Sequence, residues 1–462
     1  MTFFKSYFSG WDKPGGFRDL LILALPMIIS TACDGVMTFT DRLFLARLGS
    51  EQMNAALGGG VTMQTLMFFF MGLTGYSTAM VAQYYGANKL QTAPRVTFQA
   101  LLVSLLAWPI ILLLKPIALD FFKTAEIPAS QLGYQTDYLN WLVWGSVFSL
   151  LRYTLGCYFT GIGKTRIVMY ATIAAMLTNV GLDYLLIFGK AGFPMMGIKG
   201  AALATITGSV VATLILAVAY LSPFNRRVYH VLQSFHFDWK LSKKLLYYGS
   251  PAGLEMFLNF LAFFFMTMIF QSQGEVESTA ITIMFNWDLV SFIPLLGIEV
   301  AVTSLVGRYM GAAQPDLAHT SALTAIKTGM FYSVVILLLF LIIPETLTRV
   351  FRPMEYSAIF EEAVPMSVQL IRIAALYVLA ESIMVALIGA LRGAGDTYFT
   401  MFASVAAHWT FLPVIYLSLK VWGFSLPMSW FLLVLVFLMF CGLIVWRFRS
   451  GRWRKRTEEL IG

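Results

Sequence analysis

MGLTGYSTAMVAQYYGA, Met71–Ala87, returns 225 positions later as LGIEVAVTSLVGRYMGA, Leu296–Ala312. Two further pairs of segments keep nearly the same spacing. LILALPMIIS around Pro26 recurs as YYGSPAGLEM around Pro251, and TGIGKTRIVMYATIAA, Thr160–Ala175, recurs as RGAGDTYFTMFASVAA, Arg392–Ala407. An offset of about 225–232 residues therefore splits the chain into two similar halves. Repeated membrane halves commonly enclose a central path, so the symmetry points to transport before any single residue does.

Composition sets the solvent. Hydrophobic residues make up 58% of the chain and charged residues 12%, against roughly 25% charged in a soluble domain. That excess needs lipid around it, with about 20 apolar residues per crossing. Apolar spans begin near Leu20, Asn54, Pro94, Gln131, Arg166, Gly197, Lys244, Ser278, Ala318, Ala363, Thr397 and Phe424. The expectation is an all-α integral membrane protein with twelve transmembrane helices, six per half. Six is even, so both halves start on the same side and the repeats are parallel. Residues 1–222 form an N-lobe, 223–243 a cytoplasmic linker, and 244–462 a C-lobe ending in a basic tail. The polar linker around Pro223 reads as a tether that lets two lobes rock.

Charge orients the chain. With the N-terminus cytoplasmic, about 21 of the 32 Lys and Arg lie in cytoplasmic segments and about 9 outside. Both termini are thus expected in the cytoplasm, in a multi-pass protein of the inner membrane. The net charge of +8 describes basic rims on short loops, and nucleic-acid binding is not expected. The opening MTFFKSYFSGWDKPGG reads as a short amphipathic lead without a cleavage site. Cys33, Cys157 and Cys441 fall in apolar spans and read as packing residues, and the scattered His residues suggest neither a metal nor a catalytic site. GIGKT and GAGDT lack the strand and spacing of a phosphate cradle. They read as cytoplasmic turns in which Gly161, Gly163, Gly393 and Gly395 supply positive φ. No cofactor and no enzymatic activity are expected.

Ionisable groups at membrane depth cost about 2.5–3.5 kcal/mol each on insertion scales, so they default to function. Seven acids fall in the spans: Asp34, Asp41, Asp183, Glu255, Asp288, Glu299 and Glu381. Arg152 and Arg372 are the bases opposing them there, able either to neutralise acids or to snorkel. Asp41 lies near the outer end of the first helix. Asp183 lies in the outer half of the fifth, with Asn179 one turn before it on the same face. These three are expected to converge and to share a proton or hold Na⁺ through oxygen. Glu255 and Glu381 fall near mid-membrane in the second half. Asp34, Asp288 and Glu299 are candidates for an ion or substrate path, Asp34 equally for pairing with an Arg. At the repeat offset Glu255 corresponds to Ser30 and Asp41 to Met266, so the acids are not symmetry copies. Pro26 and Pro251 interrupt the first helix of each half and are candidate hinges.

The runs LALPMIIS…TDRLFLARLGS, NVGLDYLLIFG followed by GIKGAALATITG, VGRYMGA and ALRGAGDT together resemble the multidrug and toxic compound extrusion (MATE) family. The resemblance spans essentially the whole chain, with the spans in order. It implies two six-helix lobes facing a central cavity, alternating access, and export of small organic, often amphipathic, cations in exchange for Na⁺ or H⁺ by a functional monomer in the lipid bilayer. It also implies that Asp41, Asn179 and Asp183 form a first-lobe site and that Glu255 and Glu381 are the second-lobe acids, Glu381 standing where Asp is more usual. Alternatives on the same fold are a lipid-linked glycan flippase, which would need a basic cavity, and a narrow-specificity metabolite exporter.

Overall fold

The computed structural model describes residues 11–124, 128–352 and 356–456. Most of the amphipathic lead, residues 1–10, lies outside them. Twelve long helices are present among the described residues. In the first half these are α1 (Phe17–Ala46), α2 (Ser50–Gly75), which continues past Tyr76 as the shorter α3 (Ser77–Gly86), α4 (Thr92–Thr124), α5 (Ala129–Gly161), α6 (Thr165–Phe188) and α7 (Ile198–Tyr220). The short α8 (Pro223–Val228) leads to α9 (Trp239–Gln271), α10 (Glu275–Gly311) and α11 (Pro315–Ile342). A second short helix, α12 (Pro344–Arg349), precedes α13 (Ala358–Gly393), α14 (Thr397–Tyr416) and α15 (Leu426–Arg449).

Among the described residues, eleven helical spans are long and apolar enough to cross a membrane. The exception is α5, which is long enough but polar in its first turns, with Gln131, Gln135, Asp137 and Asn140. With no water in the hydrocarbon to pair with backbone groups, helices are the open-ended way across.

The repeat is legible down to single hydrogen bonds. Helix α3 ends with Lys89 N–H donating to the Tyr84 carbonyl at 2.9 Å, and α10 ends with Gln314 N–H donating to Tyr309 at 2.9 Å. The residues that turn the chain, Asn88 and Ala313, both have positive φ, 57° and 56°. The same six-residue closure ends α5 (Lys164 to Phe159, 2.7 Å) and α13 (Asp396 to Leu391, 2.8 Å). Here the expectation for the glycines is only half met. Gly163 and Gly395 take positive φ, 77° and 80°, whereas Gly161 and Gly393 are the last helical residues of α5 and α13. Their role is close approach. A Cβ on Gly161 would lie 2.9 Å from the Thr78 carbonyl, and one on Gly393 would lie 2.6 Å from the Thr303 carbonyl. Thr78 and Thr303 are themselves repeat partners.

The chain forms two compact units, one built from Leu25–Phe257 and the other from the residues up to Ala24 together with Leu258 onward. Helices α1 and α9 are therefore each shared between units. In the Leu25–Phe257 unit, α5 is central and packs on α2, α3, α4 and α7; in the other, α13 is central and packs on α10, α11 and α15. Both are the fourth long helix of their half. The start of α1 seats Leu20, Leu23 and Ala24 in one apolar cluster with Leu295, Ile298 and Val302 of α10.

The start of α9 lies on α2 with equal closeness. Gly249 and Gly253, four apart, face Gly72: a Cβ on Gly253 would meet the Phe69 carbonyl at 2.4 Å, and one on Gly72 the Ala252 carbonyl at 2.6 Å. Small residues at this spacing let membrane helices touch backbone to backbone. The linker is folded, not loose. Buried Gln99 of α4 donates to the His236 carbonyl (3.0 Å) and accepts from Asp238 N–H (3.2 Å) and the Ser242 hydroxyl (3.0 Å). Lys164 lies 3.9 Å over the Phe224 ring of α8, and burial pulls its ammonium below the usual lysine range.

The Gly253 contact has a direct test. Gly253→Ala is expected to destabilise the detergent-solubilised protein by about 1–3 kcal/mol through overpacking, visible as a lowered thermal midpoint. Gly442→Ala, where a Cβ would meet nothing within 4 Å, is the control and should leave the midpoint in place.

Candidate functional site

In the Leu25–Phe257 unit, glycines bring α7 onto α6. A Cβ on Gly200 would lie 2.8 Å from the Leu186 carbonyl carbon, and one on Gly208 3.0 Å from the Ala175 carbonyl. That approach sets Thr205 beside Asn179. Helix α6 ends at Gly189 in the left-handed conformation (φ 66°), and the chain re-enters as α7 with Gln52 of α2 accepting from Ile198 N–H at 3.0 Å. Asp183, one turn beyond Asn179, is thereby fixed on the same buried face.

The result is a closed polar cluster. Asn179 Nδ2 donates to Asp41 Oδ1 at 3.2 Å, and the Thr205 hydroxyl donates to Asp41 Oδ2 at 3.0 Å. Asp41 is 6% exposed, and Asn179 and Asp183 are fully buried. Both carboxyl oxygens of Asp183 and Oδ1 of Asn179 have no hydrogen-bond donor among the described residues. The Asp183 carboxyl faces that of Asp41, and Tyr138 of α5 lies alongside. The unsatisfied atoms are all acceptors. A shared proton would convert the Asp41–Asp183 pair into an O–H···O bond; a monovalent cation would be held by the same oxygens.

The sequence reading named Asp41, Asn179 and Asp183, and the structure brings them together. It did not find Thr205 or Tyr138, because a lone Thr or Tyr in an apolar helix carries no signal of its direction.

In the other unit, Tyr377 lies one turn before Glu381 on α13, and its hydroxyl donates to Asp288 Oδ1 of α10. The Asp288 backbone carbonyl accepts from the Ser291 hydroxyl at 2.8 Å, and Tyr332 of α11 donates to the Ser291 carbonyl at 3.1 Å. Glu381 is 7% exposed, and its Oε2 has no hydrogen-bond donor among the described residues. Asp288 lies close enough to Glu381 for their charges to interact.

Glu255 is buried on α9 within the Leu25–Phe257 unit. Glu299 forms an ion pair with Arg392 of α13, a base absent from the count of opposing charges made on sequence. Asp34 pairs with Arg152 at 2.9 Å, and Arg372 is exposed. Pro26 and Pro251 both lie inside helices, α1 and α9. Cys33, Cys157 and Cys441 are free and buried.

A duplicated set of membrane helices, with buried acids held between helices in each unit, defines a polytopic membrane transporter. The family pattern described as MatE matches residues 26–185 and 251–417, and the chain belongs to that family, the MATE transporters. It is 27% identical to a probable multidrug resistance protein NorM of Thermotoga maritima over 99% of this chain and 97% of that one. It is 28% identical to the multidrug resistance protein PmpM of Pseudomonas aeruginosa, covering 90% of this chain and 85% of that one. Its fold matches a MATE crystal structure in the bent conformation with a TM-score of 0.85 at 18% identity, over 96% and 97% of the two chains. A transporter from Pyrococcus furiosus described as having a binding pocket of reversed polarity matches with a TM-score of 0.86 at 18% identity, over 99% and 98%. The protein is a multi-pass membrane transporter, and members of its family move solutes; they do not catalyse reactions.

The donor shortage at Asp183 sets the expectation for two variants. Asp183→Asn adds an amide donor facing Asp41 and should melt at or above wild type in Na⁺-free detergent. Thr205→Val removes the hydroxyl donor to Asp41 and should lower stability by about 1–3 kcal/mol, measured by thermal unfolding in the same buffer.

Proposed function

We propose that this protein is a cation-coupled antiporter of the cytoplasmic membrane, with both termini in the cytoplasm. It exports small organic, often amphipathic, cations and takes up Na⁺ or H⁺ at Asp41, Asn179, Thr205 and Asp183. The observation that carries this reading is the excess of acceptors in that cluster. Two carboxyl groups whose donors are one neutral amide and one hydroxyl leave oxygens that lack a positive partner. A proton, Na⁺ or the ammonium of a substrate would each supply it.

Antiport follows from that shortage. Ligands that satisfy the same carboxylates exclude one another, and the exclusion is reciprocal by linkage. Each elementary charge carried inward supplies about 2.3 kcal/mol per 100 mV, equivalent to roughly a fifty-fold solute gradient. Glu381 with Asp288 and Tyr377 offers a second set of oxygens, and Glu255 a further buried carboxyl group; either can hold the coupling ion while substrate occupies the first. The change of access runs through α1 and α9. These helices pass from one compact unit to the other, with Pro26 beside the passage in α1 and Pro251 six residues before it in α9. A proline frees a backbone carbonyl and lowers the cost of bending. The families of the named relatives, multidrug resistance proteins, support a broad substrate range of small compounds.

The test uses purified protein in liposomes preloaded with ethidium, followed after separate Na⁺ and pH jumps. Efflux under one of the two gradients, absent from protein-free liposomes, is expected and identifies the ion. Asp41→Asn should slow gradient-driven efflux by roughly tenfold or more, since it removes the charge of charge-assisted bonds. Efflux by that variant at the wild-type rate would remove Asp41 from the site, and no efflux by folded wild type under either gradient would overturn the antiport reading.

A further inference from the structure

Arg152 has no part in the ion sites described above. It lies on α5 within the Leu25–Phe257 unit, and its Nη1 donates to Asp34 Oδ1 of α1 at 2.9 Å. The pair is incompletely covered and incompletely satisfied. The Arg152 and Asp34 side chains are 22% and 44% exposed, and Arg152 Nε is buried with no hydrogen-bond acceptor among the described residues.

Helix α1 turns one face toward its own unit. Ser30 bonds to Thr172 of α6 at 3.3 Å, Asp34 to Arg152, and Asp41 to Asn179 and Thr205. Positions 30, 34 and 41 fall on one stripe of an α-helix. The ion pair thus stands two turns along the stripe from the cation cluster, about 10 Å at ~1.5 Å per residue. An acid with nearly half its surface uncovered is not stable against hydrocarbon, so the open side of the pair meets water or a solute.

We propose that Arg152 and Asp34 form a selectivity element for zwitterionic substrates, organic cations that carry their own carboxylate. This rests on the export reading above and names the substrate class. A guanidinium presents a planar fork that prefers a carboxylate held by two parallel bonds, and Asp34 engages it through one nitrogen. A substrate carboxylate takes the place of Asp34 on Arg152, and the released Asp34 carboxylate faces the substrate's positive centre. Four charges pass from one internal pair to two mixed pairs, and none is left uncompensated. A simple cation has no such exchange: to it, Asp34 is already neutralised.

The experiment compares rhodamine B, a zwitterion, with rhodamine B ethyl ester, which differs by the blocked carboxylate. Both are loaded into liposomes containing the full-length protein, and initial efflux is measured under the driving gradient. Wild type is expected to move both. Arg152→Gln should lower the rhodamine B-to-ester rate ratio by roughly tenfold, the size of one charge-assisted hydrogen bond. Arg152→Lys, which keeps the charge and loses the fork, should fall between. Asp34→Asn, which leaves the guanidinium without its internal partner, should raise the ratio.

A ratio within about twofold of wild type in Arg152→Gln and Asp34→Asn overturns the assignment. Should Arg152→Gln fail to give monodisperse protein, the opposed shifts in Arg152→Lys and Asp34→Asn decide it. Wild type that moves the ester and not rhodamine B also overturns it while leaving the exporter reading in place. Wild type that moves neither dye overturns both.

Discussion

Inside a helix bundle surrounded by lipid, an acid has to find its hydrogen-bond donors within the protein, and the supply of donors governs what each acid of this chain does. Asp396, 1% exposed, is held by two nitrogens of Arg447 at 2.7 and 3.1 Å. Glu299 has Arg392 and Asp34 has Arg152. Each of those acids is paired with a base of its own. Asp183 has no donor on either oxygen among the described residues, and Glu381 none on Oε2. A buried acid without a donor is costly, and it persists where a mobile cation or proton completes it. The acids left incomplete are the ones suited to take up a mobile cation or proton.

Duplication built the scaffold and left the chemistry free to diverge. Helix ends, left-handed turn residues and glycine contacts recur at the repeat offset because any helix leaving the membrane has the same carbonyls to satisfy. The acids of the two sites do not recur. Asp41 corresponds to Met266, and Asn179 and Asp183 to Phe411 and Ile415 at the later offset. Conversely Asp288 corresponds to Met63, and Glu381 to Ser149. Each unit therefore holds its acids at places where the other is apolar or neutral, and the shared frame positions two unlike sites.

The linker of residues 223–243 is itself a folded part of the Leu25–Phe257 unit. Gln99 and the Lys164–Phe224 contact hold the linker to the Leu25–Phe257 unit. The covalent passages between units are instead continuous helices, α1 and α9. Backbone-to-backbone contact of α9 on α2 through Gly249, Gly253 and Gly72 makes the first part of α9 a member of the first unit, although it follows the linker in sequence.

Helix number, the duplication, the membrane setting and the family were all legible in the sequence, because they depend on apolar run length and on spacing, which are one-dimensional. So was the meeting of Asp41, Asn179 and Asp183: an i, i+4 pair on one helix and an acid at matching depth on another leave few arrangements. What the tertiary structure decided is partnership. Thr205 and Tyr138 join the first cluster, Tyr377 bonds Asp288, Arg392 takes Glu299 and Arg152 takes Asp34, because helix rotation and crossing aim each side chain. Those depend on glycine contacts between segments far apart in the chain. Spacing along one helix states which residues share a face; only packing states what that face meets.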